Sequence, residues 1–326
     1  MEQEFNKIPE TQPIVEPSVH TNDKSHGGQI AAIIFVMLIC SIVAYLSGIG
    51  RHNPSKTQTN SLVAINSTST IANIDPFFAT SLKAKSAFVW DIKNQKVLFA
   101  KNANDVLPLA SITKIMTADV ASELLSPTST ISIEVGDLAQ DGDTGLFLNE
   151  RWTFKKLLNF TLSISSNDGA SAIANTASSN FVEKMNEKAQ LLGLSSMQFF
   201  NPTGLDESIT RSGAYGSAAD VAKLFSYTLQ NHPEIFEATR YATFTTSSLD
   251  NFKHTATNTD EEINNIPGII GSKTGYSDLA GGNLAIIYDA GVNYPIIVVV
   301  LGSTYNDRFT DVLSLIKATN QTLNVL

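Results

Sequence analysis

From Ile30 to Ile49 the chain runs IAAIIFVMLICSIVAYLSGI without one charged residue. A membrane-spanning helix needs about 20 consecutive apolar residues, and this run supplies them. It has no amphipathic pattern that would suit a buried core helix. A cleavable leader would have a shorter apolar region nearer the N-terminus. The expectation is an uncleaved transmembrane anchor at residues 29–50. Before it, residues 1–28 are polar and mostly acidic, with Pro9, Pro13 and Pro17, and read as a disordered tail. After it, residues 51–74 are rich in Ser, Thr and Asn and read as a flexible linker. Lys7 and Lys24 on one side and Arg51 and Lys56 on the other leave orientation undecided by charge. Residues 75–326 then show globular patterning without an internal repeat, expected to be a single catalytic domain.

Composition removes several function classes. The net charge is -9, with no basic stretch, which argues against nucleic acid as a partner. The single cysteine, Cys40, lies within the apolar run, so the globular part has no disulfide, cysteine nucleophile or cysteine-based zinc site. Of five histidines only His232 and His254 fall in the globular region, and they lack metal-ligand spacing. A Ser-His-Asp triad has few candidates, so serine chemistry would need another base. His254 reads as a structural or surface residue.

Periodicity outlines the elements. Ser86–Trp90 and Lys96–Ala100 alternate as a hairpin around Asp91–Gln95. Helices are expected at Ser111–Leu125, Phe154–Leu162, Asp168–Ala177, Phe181–Leu192, Ser217–Gln230 and Thr310–Leu326. Leu284–Tyr288 and Pro295–Leu301 read as buried strands across a turn at Asp289-Ala290-Gly291. Strands at both ends with helices between them imply an α+β sheet with a helical insertion.

Three short motifs follow one another along this domain. Ser111-Ile112-Thr113-Lys114 opens a helix, Ser165-Ser166-Asn167 follows a helix, and Lys273-Thr274-Gly275 leads toward a strand. On a helix, positions i and i+3 share a face, so Lys114 can reach the Ser111 hydroxyl. Serine is a weak nucleophile until a base takes its proton. Lys114 can be that base only when neutral, and burial beside a second cation such as Lys273 would favour that form. Ser165 suits relay of a proton to a leaving amine, and Asn167 suits orientation of a substrate amide. Lys273 and Thr274 suit a substrate carboxylate, and Gly275 leaves room for substrate backbone beside the strand. Each triplet alone is a weak signal, since S-x-x-K recurs at Ser314–Lys317 and S-x-N at Ser178–Asn180. Their order and local context separate the three from these decoys.

With its neighbours, each motif resembles a segment of the low-molecular-mass penicillin-binding proteins that act as serine D-alanyl-D-alanine carboxypeptidases, the penicillin-binding protein 5 type. Pro108–Thr117 (PLASITKIMT) is similar to the family's nucleophile segment. Asn201–Asp206 (NPTGLD) resembles the loop after its helical region. Gly271–Tyr276 (GSKTGY) with Ala280–Leu284 (AGGNL) resembles its K-T-G strand. The resemblance implies a β-lactamase/transpeptidase-like α+β fold, an antiparallel sheet flanked by helices with a mainly helical insertion, here preceded by one transmembrane helix. It implies that Ser111 forms an acyl-enzyme, with Lys114 as base and Ser165 and Asn167 completing the catalytic set. Lys273, Thr274, Gly275, Tyr276 and Arg308 would bind substrate. The backbone N–H groups of Ser111 and Tyr276 would form an oxyanion hole, and Arg308 would lie near a terminal carboxylate. The implied partners are peptidoglycan stem peptides and β-lactams as covalent inhibitors, without metal or organic cofactor. The implied location is the cytoplasmic membrane, single-pass, with the catalytic domain outside the cytoplasm.

Two departures stand out. The family often has Gly where this chain has Ser166. Many members carry a C-terminal β-rich domain and a C-terminal amphipathic anchor, whereas this chain is expected to be anchored at its N-terminus. The competing readings are a D,D-endopeptidase or β-lactamase on the same fold, a wall-binding protein with an idle site, and a β-lactam receptor.

Overall fold

The computed structural model describes residues 75–142 and 144–324. The expected tail (1–28), transmembrane helix (29–50) and linker (51–74) lie outside the described residues. Among the described residues no helix is long and apolar enough to cross a membrane.

Five strands make the main sheet: β1 (Ser86–Asp91), β2 (Lys96–Lys101), β3 (Ile269–Ser277), β4 (Gly281–Asp289) and β5 (Pro295–Ser303). Their order is β3-β4-β5-β1-β2, with every neighbour antiparallel. Six helices accompany it: α1 (Lys114–Leu124), α2 (Phe154–Ile164), α3 (Asn167–Ala177), α4 (Phe181–Leu191), α5 (Ala218–Asn231) and α6 (Asp307–Leu323).

The sheet is covered on both faces, which explains why β4 and β5 read as unbroken apolar runs rather than alternating ones. Leu284, Ile286 and Tyr288 of β4 and Ile296, Val298 and Val300 of β5 pack with Phe309, Val312 and Leu315 of α6. Ala285 and Ile287, with Ile297, Val299 and Leu301, point the other way, into a core built with α1, α2 and α5. Strand side chains alternate faces, so one apolar run feeds two cores. Fully burying each Ile, Val or Leu favours this arrangement by about 1.5–3 kcal/mol.

The expected hairpin and helices are present, with boundaries shifted by a few residues. Three local differences matter. A 3-10 turn, Ala110–Thr113, precedes α1, so Ser111 sits on the tighter turn and Lys114 begins the α-helix. The Lys273-Thr274-Gly275 motif lies inside β3 rather than ahead of a strand; residues 278–280 form the turn, and the glycines after it, Gly281 and Gly282, open β4. Hydrogen-bonding to β4 overrides the weak strand propensity of its glycines. A further hairpin, Thr243–Ser247 with Lys253–Thr257, was not anticipated; it is mostly polar and only partly buried, so no apolar run marks it. His254 stands on that hairpin, buried, 2.7 Å from Glu150 through Nε2.

Candidate active site

Three pieces of backbone bring the motifs together. The first is the Ser111 turn. Ala110 adopts a left-handed conformation (φ 46°), a strained state for a residue with a side chain, immediately before Ser111. Asn283 of β4, wholly buried, donates from Nδ2 to the carbonyls of Pro108 and Leu109, both at 3.0 Å, and ties this turn to the sheet.

The second piece is the break between α2 and α3. Ser165 caps α2 in the left-handed region (φ 63°), and Ser166 caps α3 by accepting from the Gly169 N–H at 2.9 Å. Two helices thus meet with only Ser165 and Ser166 between them, and Asn167 opens the second. The Ser166 side chain serves this cap and also meets Thr144 Oγ1 at 2.7 Å, which gives the motif's middle serine a structural role.

The third piece is β3, an edge strand of the main sheet. Gly275 lies so close to the nucleophile turn that a Cβ there would stand 2.8 Å from the Leu109 carbonyl oxygen and 3.2 Å from the Ser111 nitrogen. Only glycine lets the strand pass at this distance.

At the centre, Lys114 is 1% exposed. Its Nζ is 2.8 Å from Ser111 Oγ, 2.6 Å from Asn167 Oδ1 and 2.8 Å from the Thr203 carbonyl oxygen. Asn167 Nδ2 donates to the Asp141 carbonyl at 2.7 Å, which turns Oδ1 toward the lysine. Asn167 Oδ1 and the Thr203 carbonyl can only accept. A neutral amine has two hydrogens, enough for those two acceptors, and its lone pair is then left facing the Ser111 hydroxyl. Burial, and then the nearby Lys273 cation, hold the Lys114 amine well below the usual lysine range.

Lys273 is equally buried, and its Nζ donates to Ser165 Oγ and to the Thr274 carbonyl, each at 2.9 Å. Burial and the Arg308 charge lower its pKa to about 7, against an opposing pull from Asp260. Thr274 Oγ1 meets Thr259 Oγ1 at 2.5 Å. Tyr276 stands half-exposed at the rim, edge-to-face with Tyr305 at 5.1 Å between ring centres.

Arg308 begins α6 but is only 2% exposed, so it is not a surface residue. Its Nη1 donates to the Gly275 carbonyl at 3.1 Å, and its guanidinium lies 4.4 Å from the Tyr305 ring centre. Arg308 is thereby tied to the strand that carries the third motif.

The structure joins Ser111, Lys114 and Asn167 in one hydrogen-bonded group, and Ser165 with Lys273 in a second. Thr274, Gly275 and Tyr276 continue along β3. The decoys stay apart: Ser314 Oγ donates to the Thr310 carbonyl within α6, and Ser178 Oγ donates to Asn180 Oδ1. Reasoning from motifs missed the Thr203 carbonyl, Thr259, Asp260 and the tying role of Asn283. A polar Asn283 amid an apolar strand was the one visible signal. The Thr203 contact comes through backbone, which side-chain patterns do not reveal.

Fold and site together define the class: a protein with a serine hydroxyl hydrogen-bonded to a buried lysine, on an antiparallel sheet with helices on both faces. The chain belongs to the D-alanyl-D-alanine carboxypeptidase family, which it matches over residues 71–304. It is 34% identical over 247 residues to D-alanyl-D-alanine carboxypeptidase DacF of Bacillus subtilis, covering 72% of this chain and 61% of that one. It is 32% identical over 215 residues to DacB2, a D-alanyl-D-alanine carboxypeptidase of Mycobacterium tuberculosis, covering 64% of this chain and 72% of that one. The chain therefore spans about three fifths of the length of DacF. Among solved structures it is similar to penicillin-binding protein D2 from Listeria monocytogenes in the cefotaxime-bound form, with 27% identity and a TM-score of 0.64. That likeness covers 73% of this chain and 98% of the Listeria chain.

Proposed function

We propose that this protein is a serine D-alanyl-D-alanine carboxypeptidase that removes the terminal D-Ala from peptidoglycan stem peptides and is acylated by penicillins. The observation that carries the reading is the environment of Lys114 Nζ. Two acceptor-only oxygens and the Ser111 hydroxyl surround a buried amine that burial drives toward neutrality.

The chemistry follows from that geometry. Lys114 takes the Ser111 proton as Oγ attacks the carbonyl carbon of the penultimate D-Ala. The Ser111 and Tyr276 N–H groups stabilise the oxyanion, the kind of preorganised donor pair that favours acyl transfer. As the C–N bond breaks, the proton held by Lys114 reaches the leaving amine by way of Ser165. The acyl-enzyme ester remains on Ser111. Lys114, neutral again, takes a proton from water, whose hydroxide attacks the ester. A peptide one D-Ala shorter departs, and the proton returns to Ser111. Lys273 and Thr274 hold the substrate's terminal carboxylate. The free edge of β3 suits an extended peptide lying alongside it.

We further propose that residues 29–50 anchor the protein in the cytoplasmic membrane with the catalytic domain outside, where the substrate is. The charge-free run and the location of peptidoglycan support this. Protease added to spheroplasts should degrade the domain; protection would overturn the topology.

The test of the activity uses the full-length chain with a fluorescent penicillin, beside its Ser111→Ala and Ser314→Ala variants. Intact-protein mass spectrometry should show an adduct on wild type and Ser314→Ala and none on Ser111→Ala. Release of D-Ala from a peptide ending in D-Ala-D-Ala then identifies the substrate. Cleavage of crosslinked muropeptides alone would favour an endopeptidase. Rapid penicillin turnover would favour a β-lactamase. No adduct on a folded chain would sink the acyl-enzyme mechanism.

A further inference from the structure

Between the added hairpin and β3, the segment Asn258-Thr259-Asp260 touches two of the three motif-bearing elements at once. The Thr259 N–H donates to the Ser163 carbonyl at 3.0 Å, two residues before Ser165 on α2. Its hydroxyl meets the Thr274 hydroxyl on β3 at 2.5 Å. The segment is itself held firmly. Asn258 Nδ2 donates to the Thr239 and Tyr241 carbonyls at 2.8 and 3.2 Å, and the Asp260 N–H donates to Asn258 Oδ1 at 2.9 Å. Thr239 in turn accepts the Ser272 N–H of β3 on its Oγ1 at 3.2 Å.

We propose that Thr259 is a positioning residue for substrate recognition, orienting the Thr274 hydroxyl so that its proton points at the substrate's terminal carboxylate. The inference rests on the carboxypeptidase reading above. Each hydroxyl has one proton. If Thr274 is to give its proton to a carboxylate, the short Thr259–Thr274 contact must run from Thr259 to Thr274. Thr259 then supplies the donor and Thr274 Oγ1 the acceptor, which fixes the Thr274 rotor. A chain of hydroxyls ending on an anion is polarised in one direction, which strengthens its last bond. Without the Thr259 hydroxyl, Thr274 could turn its proton elsewhere before substrate arrives.

The experiment compares two substrates on the same preparation of the full-length chain: an acylated tripeptide ending in D-Ala-D-Ala and its C-terminal carboxamide. The readout is the ratio of their kcat/KM values, which does not depend on how much of the preparation is folded. Thr259→Val, which keeps the shape and loses the hydroxyl, should lower this ratio about five- to tenfold, the scale of one hydrogen bond between neutral groups. Thr259→Ser should restore it to within about twofold of wild type, because serine retains the donor. In a Thr274→Val background, Thr259→Val should change the ratio no further, the signature of coupled groups. An unchanged ratio in Thr259→Val, with wild type turning over normally, overturns the assignment alone. So does an undiminished effect in the Thr274→Val background. No D-Ala release by wild type overturns the carboxypeptidase reading, and this assignment with it.

Discussion

Lys273 Nζ donates to Ser165 Oγ at 2.9 Å across 108 residues of sequence. That bond joins the strand motif to the helix-end motif. The same lysine sits near enough to Lys114 to lower that residue's pKa. Burial and then the Lys273 cation disfavour a charge on Lys114, whereas Lys273, with a pKa of about 7, keeps part of its charge near neutral pH.

Replacing Lys114 with Arg tests the base directly. Guanidinium stays protonated at any working pH, so it cannot take the Ser111 proton. Acylation by penicillin should slow by about 10²–10⁴-fold, the usual worth of a general base. Time-resolved mass spectrometry of the adduct would measure it. An acylation rate near wild type would remove Lys114 from that role.

Affinity for the carboxylate substrate should weaken as pH rises through about 7, where Lys273 loses its charge. Asp260 favours that charge and Arg308 opposes it. Asp260→Asn should therefore start the rise in KM at lower pH, and Arg308→Met at higher pH. Profiles of KM against pH for the three proteins decide the point, because the two shifts have opposite signs.

Gly204 is held at φ +79°, and a Cβ there would lie 2.0 Å from the Ala110 carbonyl oxygen and 2.6 Å from Thr113 Oγ1. Gly204→Ala should destabilise the protein by roughly 2 kcal/mol or more through strain and collision. It should also slow acylation, since the displaced atoms flank Ser111. Thermal unfolding and adduct formation report the two effects separately.

His254 packs between Trp152, Phe160 and Phe147, with ring centres 5.0, 5.5 and 5.9 Å away, and bonds to the fully buried Glu150. His254→Ala should cost about 2 kcal/mol by leaving Glu150 Oε1 without its partner, while Oε2 keeps the Phe147 N–H at 3.0 Å. The Ser111 adduct should still form. Loss of the adduct in a folded variant would assign His254 to the chemistry.

The elements were legible where the pattern was long and local. The helices at Phe154, Asp168, Phe181 and Ser217 show amphipathic periodicity or clear caps, and they lie where expected. The Lys273 strand was harder, because its glycines are poor strand formers and only pairing with β4 makes it one. The Thr243–Thr257 hairpin was missed for a different reason: its threonines suit a strand, but it is mostly polar and partly exposed, so no apolar run marks it.

What the sequence by itself determined is the inventory: a serine three residues before a lysine, two more motifs in fixed order, and apolar runs long enough for central strands. Turn geometry, capping and hydrophobic periodicity act over a few residues, so they are written locally. What only the tertiary structure decided is how those residues behave. Whether Lys114 is neutral depends on removal of water and on a cation delivered by a distant strand. Whether Lys273 binds an anion depends on Arg308 and Asp260 beside it. Whether Thr274 presents its proton depends on Thr259. Desolvation and Coulomb interactions are set by distance through space, and only the folded chain defines those distances.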